Sequence, residues 1–196
     1  PLDSREGVAH RRAALLPADP TGNARAKVAE LYADQLAADP QQAWDAICTH
    51  HDWTAPAHRF AADASNGSGL VFSYEFARPS DALCGKVGAA HLIEVPYAFG
   101  NLAAAGAADL LGATSQTEEA QRLSEAMNGY WAAFIATGNP ATVGVPSWPA
   151  YSAAERTVMV FDSAAHPVRH HLAPQVDFWT ECVDISTPPL TAVGIQ

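Results

Sequence analysis

The stretch LVFSYEF, residues 70–76, is the strongest strand pattern in this chain, and a strand cannot stand alone. It is β-branched and aromatic, with Gly69 before it and Pro79 soon after, and it predicts a buried strand at about residues 69–76. Each edge of such a strand carries N–H and C=O groups that must find partners. The remaining sequence offers few. TVMVF, residues 157–161, reads as one short late strand, and most of the other patterned segments are helical. The chain is therefore expected to be helix-rich, with its strand belonging to a sheet whose other strands come from elsewhere.

The helical segments are set by spacing and by their ends. Val28, Leu31, Tyr32 and Leu36 recur at helical intervals after Thr21-Gly22-Asn23. Asp39 offers an N-cap and Pro40 a first-turn proline, with Trp44 and Ile47 on one face of the helix that follows. A helix resumes across Pro56 to Ala64 and stops at SNGSG. The clearest helix runs from Thr117 to Ala136. Ser115 and Glu118 have capping-box spacing there, and Leu123, Met127, Tyr130, Trp131 and Phe134 trace an apolar stripe. Trp131, Phe134, Trp148 and Tyr151 are read as packing residues.

Composition removes several functions. With 196 residues, a net charge of −10 and only 11 Lys and Arg, the chain lacks a phosphate-tracking surface, and nucleic acid is not expected as a partner. No apolar run reaches membrane-spanning length. Cys48, Cys84 and Cys182 fit no metal spacing. His166, His170 and His171 lie close together, as do Cys48, His50 and His51, but Pro167 interrupts the first group and neither has a further ligand at motif spacing. No metal is expected. Neither the P-loop nor the Gly-x-Gly-x-x-Gly pattern is present, and no cofactor is expected. The chain begins at Pro1 with nothing that reads as a signal peptide, and is read as a processed chain or a piece of a longer one.

One segment resists a purely structural reading. In GAAHLIEVPYAFG, residues 88–100, His91 stands between small residues and an apolar run containing Glu94. A histidine among apolar neighbours can be a core residue with its nitrogens satisfied. It can also be a general base, but a nucleophile elbow needs glycines four apart and this chain has none so spaced. If His91 is a base, its serine lies elsewhere.

The segment closely resembles the catalytic-histidine region of type-B carboxylesterases, the family of para-nitrobenzyl esterases and cholinesterases, through His91, Glu94, Pro96, Tyr97, Phe99 and Gly100. YWAAFIATGNP followed by PSWPAYSAAERTVMVFD resembles the same family's C-terminal signature, and DSREGVA resembles the short segment that holds its acidic triad member. The resemblance implies that residues 1–196 are the C-terminal part of a single α/β-hydrolase domain. It implies His91 as general base and Glu6 as triad acid, with Asp3 as rival because Arg5 replaces the usual Asp. Glu94, three residues from His91, is expected instead to anchor the loop by a buried hydrogen bond.

The implied function is serine-dependent hydrolysis of a small-molecule carboxylic ester. The nucleophile would lie on an N-terminal portion that acts as partner. The alternative is a non-catalytic, cholinesterase-like adhesion protein. Such proteins commonly lose triad residues, whereas His91 and Glu6 are both present here.

Overall fold

The computed structural model describes residues 22–86 and 88–182, which divide into two compact units, residues 22–60 with 172–182 and residues 61–171. Glu6 and Asp3 lie outside the described residues.

The first unit is helical. Helices α1 (Asn23–Leu31), α2 (Ala33–Ala38) and α3 (Pro40–Thr49) follow one another, and α3 runs into a π-helical turn at His50–Thr54. The Asp39 cap forms as the sequence predicts, its carboxylate accepting from the N–H groups of Gln41 and Gln42. Trp44 and Ile47 are buried, and with Tyr32, Ala55 and Trp179 they make this unit's core. The phenol of Tyr32 accepts from Trp179 Nε1 at 2.9 Å and lies 2.8 Å from His50 Nδ1. Burial pushes that phenol up to about 12, because its ionised form would be poorly solvated there. Helix α4 (Ala55–Ser65) carries the chain into the second unit.

The second unit holds a three-stranded sheet in the order β1 (Tyr74–Phe76), β2 (Val158–Phe161), β3 (Ala165–Val168). β1 and β2 are parallel, with Tyr74 opposite Met159 and Phe76 opposite Phe161, while β2 and β3 are antiparallel. Two expectations need correction. The strand is shorter than 69–76, and it is half-exposed instead of buried, with Tyr74 43% accessible. Its partner on one edge is β2 of this same chain. On the other edge no strand pairs with it among the described residues, which explains the exposure. β2, paired on both edges, is buried along its whole length.

Short helices α5 (Val95–Ala98) and α6 (Ala107–Leu111) precede the 20-residue helix α7 (Glu118–Thr137), and α8 (Ala173–Cys182) closes the described chain in the first unit. The cap of α7 is Thr117, whose hydroxyl accepts from Ala120 N–H, and not the predicted Ser115. Residues Ala113–Gln116 form a 3₁₀ turn that delays the helix start, and Ser115 is buried within it, donating to Gly112 O. Leu123, Met127 and Tyr130 of α7 meet Ile93, Tyr97, Trp148 and Phe161 in the main core of this unit.

Candidate active site

His91 opens a tight turn that leads directly into α5. The approach to that turn is well braced. Arg78, just after β1, is buried and donates through Nη1 to Glu119 Oε1 at 2.6 Å and to Asp162 O at 3.3 Å. Ser80 pairs with Gly88 in an antiparallel bridge, and its hydroxyl donates to Leu110 O at 2.8 Å. Asp81 accepts from both the N–H and the hydroxyl of Thr114, and these bonds hold its carboxyl below the ordinary range. Gly112 makes that contact possible. A Cβ there would come within 2.6 Å of Ala82 N and run into Asp81, and its backbone at φ +79° and ψ −179° suits glycine alone.

His91 itself is exposed, preceded by exposed Ala89 and Ala90, so it is not a packing residue of this unit's core. The residue after it, Leu92, has φ +76°, a left-handed conformation that costs a non-glycine residue on the order of 1–2 kcal/mol. Backbone strain of this kind collects at functional sites and persists only where neighbours over-determine the geometry. Ile93 and Tyr97, at 1% and 3% exposure, are the plugs that do so, set into the core on either side of Glu94.

Glu94 departs from expectation. It is half-buried, and among the described residues its carboxylate makes no hydrogen bond; the loop is anchored by Arg78, Ser80 and Asp81 instead. Its charge acts on Tyr74, whose phenol is raised first by burial and then by Glu94. The predicted partner of His91, Glu6, lies outside the described residues, as does its rival Asp3. Two of the other histidines face carboxylates. His51 Nδ1 lies 2.5 Å from Asp52 Oδ1, and His171 Nε2 lies 2.6 Å from Glu75 Oε2. Among the described residues no group of three His, Cys, Asp or Glu could hold a metal ion, and Cys48, Cys84 and Cys182 are unbridged.

Beside β1 lies an apolar hollow of about 170 Å³ lined by Phe72, Tyr74, Tyr130, Trp131, Phe134, Pro140 and Trp148. Trp148 and Tyr151 are buried as packing residues should be, but Phe134 is 46% exposed and Trp131 only half-buried. These aromatics form an open wall. Sequence reasoning also missed the strain at Leu92, which no residue type announces. It missed Ser124 and Asn128 too, polar positions four apart that interrupt the apolar side of α7 and could have been noticed there.

Comparison with known proteins gives a consistent result. The family model described as "Carboxylesterase family" matches residues 8–179. Carboxylesterase 5A of Felis catus is 33% identical over 117 residues, covering 58% of this chain and 21% of that protein. The para-nitrobenzyl esterase of Bacillus subtilis is 31% identical over 138 residues, covering 70% of this chain and 26% of that protein. Among solved structures, a thermophilic PNB esterase superposes with TM-score 0.65 at 25% identity, over 90% of this chain and 33% of that one. A Geobacillus stearothermophilus carboxylesterase reaches TM-score 0.71 at 23% identity, over 90% of this chain and 35% of that one. The chain spans about a fifth to a quarter of the length of the curated relatives it matches. Its architecture is a helix-rich part of an α/β-hydrolase fold with a small three-stranded sheet.

Proposed function

This chain belongs to the carboxylesterase family, and from that premise we propose that it is the C-terminal part of one α/β-hydrolase domain and supplies the base and acid for serine-dependent ester hydrolysis. His91 is the general base and Glu6 the acid that orients it, with Asp3 as rival. The nucleophilic serine belongs to an N-terminal portion of the same enzyme, and the substrate is a small carboxylic ester.

The observation that carries the reading is the setting of His91: exposed, on a braced turn, next to a strained Leu92. In the reaction the serine Oγ attacks the ester carbonyl carbon while one imidazole nitrogen takes its proton. The tetrahedral intermediate collapses, the C–O bond to the alcohol breaks, and the imidazolium returns the proton to the departing alkoxide. Water then attacks the acyl-serine with His91 again accepting a proton. The carboxylic acid leaves and serine is restored. The carboxylate of Glu6 accepts from the second ring N–H, which selects the tautomer and stabilises the imidazolium.

The second edge of β1, which no strand pairs among the described residues, and the aromatic wall beside it support the partner assignment, since both are surfaces that a neighbouring part of the fold would cover. An interface that divides a core in this way buries more than roughly 2,000 Å². Intact-mass measurement and size-exclusion chromatography on one purified fraction test the partner: a companion chain that co-elutes is expected, and a monodisperse, folded monomer of this chain would overturn it. In the assembled enzyme, His91→Ala should lower turnover of a simple aryl ester by roughly 10²–10⁴-fold, and Glu6→Gln should lower it far more than Asp3→Asn. Near-normal turnover by His91→Ala would overturn its role as general base, and an assembled protein with no ester turnover would return the adhesion reading.

A further inference from the structure

The turn that carries His91 is bolted to a rigid helix by two side chains, and this suggests a role for them. α5 has only four residues, so its C-terminal carbonyls have few partners within the helix. Gly100 N–H reaches Tyr97 O at 3.2 Å, and helix α7 supplies further donors. The hydroxyl of Ser124, which is buried, donates to Tyr97 O at 2.8 Å, and the amide of Asn128 donates to Ala98 O at 3.0 Å. The two donors are four residues apart and so lie on one face, one turn from each other.

Between these carbonyls and His91 the backbone has little slack. Val95 N–H reaches Leu92 O, Ala98 N–H reaches Glu94 O, and Phe99 N–H reaches Val95 O, linking the turn and α5 in one hydrogen-bonded run. Ile93 and Tyr97 are sunk into the core along the same run. The left-handed Leu92 sits inside it, held in a conformation it would otherwise leave.

We infer that Ser124 and Asn128 are positioning residues for His91: their bonds to the carbonyls of Tyr97 and Ala98 fasten the end of α5 to α7 and so fix the turn from which the imidazole projects. The inference rests on the reading of His91 as general base. Neither residue touches substrate. Each acts by keeping the base aligned with its serine, and misplacement on the order of 1 Å can cost about 10²-fold in rate.

The test combines kinetics with amide hydrogen exchange in the assembled enzyme, with para-nitrophenyl acetate as probe. Asn128 is at the surface, so Asn128→Asp folds; it keeps the shape but replaces the donor with an oxygen that repels Ala98 O. Asn128→Asp and Ser124→Ala should each lower kcat about 10-fold and together about 100-fold, with KM held within about twofold. The amides of Ala98, Phe99 and Gly100 should exchange about 10-fold faster while those of β2 keep their protection. Ser124→Thr, which retains the hydroxyl, should recover most of the lost kcat. Unchanged exchange at these three amides with unchanged kcat overturns the positioning role, and so does loss of protection that extends equally to β2. If His91→Ala abolishes turnover while Asn128→Asp and Ser124→Ala do not affect it, only the positioning role fails. If turnover survives His91→Ala, the reading of His91 as general base fails and takes this one with it.

Discussion

His51 and His91 begin from comparable sequence surroundings and end in opposite situations. Each has a carboxylate within three residues and an aromatic side chain nearby in the chain. His51 is folded inward: it faces Asp52 Oδ1 at 2.5 Å and meets the ring of Trp179 edge-on, with ring centroids 5.0 Å apart. Asp52 is almost wholly buried beside it, at 1% side-chain exposure. His91 is turned outward on a strained, braced loop, and its nearest carboxylate in sequence, Glu94, makes no hydrogen bond among the described residues. A histidine–carboxylate contact is therefore a poor sign of catalysis by itself. When both groups are buried against a core, the contact serves the fold. A base must be presented where a substrate can arrive.

The contrast is sharpest when both histidines are removed. His91→Ala should remove most ester turnover and leave the thermal midpoint nearly unchanged. His51→Ala should do the reverse, leaving kcat within about twofold while costing roughly 1–3 kcal/mol of stability, because the buried Asp52 carboxyl loses its partner. Paired kinetics and denaturant melts decide it. A large fall in kcat for a fully folded His51→Ala would break the comparison.

Tyr32 probes the first unit in a second way. Tyr32→Phe should cost about 1–3 kcal/mol, since Trp179 Nε1–H and His50 Nδ1 both lose their contact with the phenol. The pH dependence has a defined sign. In the unfolded chain the phenol ionises near 10, whereas in the folded chain it stays protonated up to about 12. Between those values the unfolded state binds fewer protons, so stability is intact below pH 10 and falls as pH rises, by about 1.4 kcal/mol per pH unit for this group. Tyr32→Phe should reduce the slope of stability against pH in that window. Tyr130, also pushed up to about 12 by burial, leaves a remaining slope.

The smallest expected effect is at the turn itself. Leu92→Gly removes the left-handed penalty but adds backbone entropy to the unfolded chain, so the net gain should be at most about 1 kcal/mol. A measurable loss of stability would show that the Leu92 side chain, 54% exposed, contributes more than its backbone costs.

Some of this was legible in the residues. The Asp39-Pro40 start of α3 and the long stripe of α7 depend on neighbours within one or two turns, and local physics suffices for such features. The segment around His91 drew its functional reading for another reason: its residue types resemble, at matching spacing, the histidine segment of type-B carboxylesterases. What escaped the sequence depends on partners far along the chain. β3 reads as Ala-His-Pro-Val, a poor strand pattern with a proline in it, and becomes a strand because β2 lies beside it and Pro167 can occupy an edge. β1 looked buried because its composition is that of a strand covered on both sides, but among the described residues only β2 pairs with it. Thr117 displaced Ser115 as cap because the 3₁₀ turn before α7 uses the Ser115 hydroxyl itself. Short-range hydrogen bonds and periodicity are written in the order of the residues. Exposure, edge pairing and the left-handed Leu92 arise only when distant segments close around a position, and those closures determine which histidine is packed and which is presented.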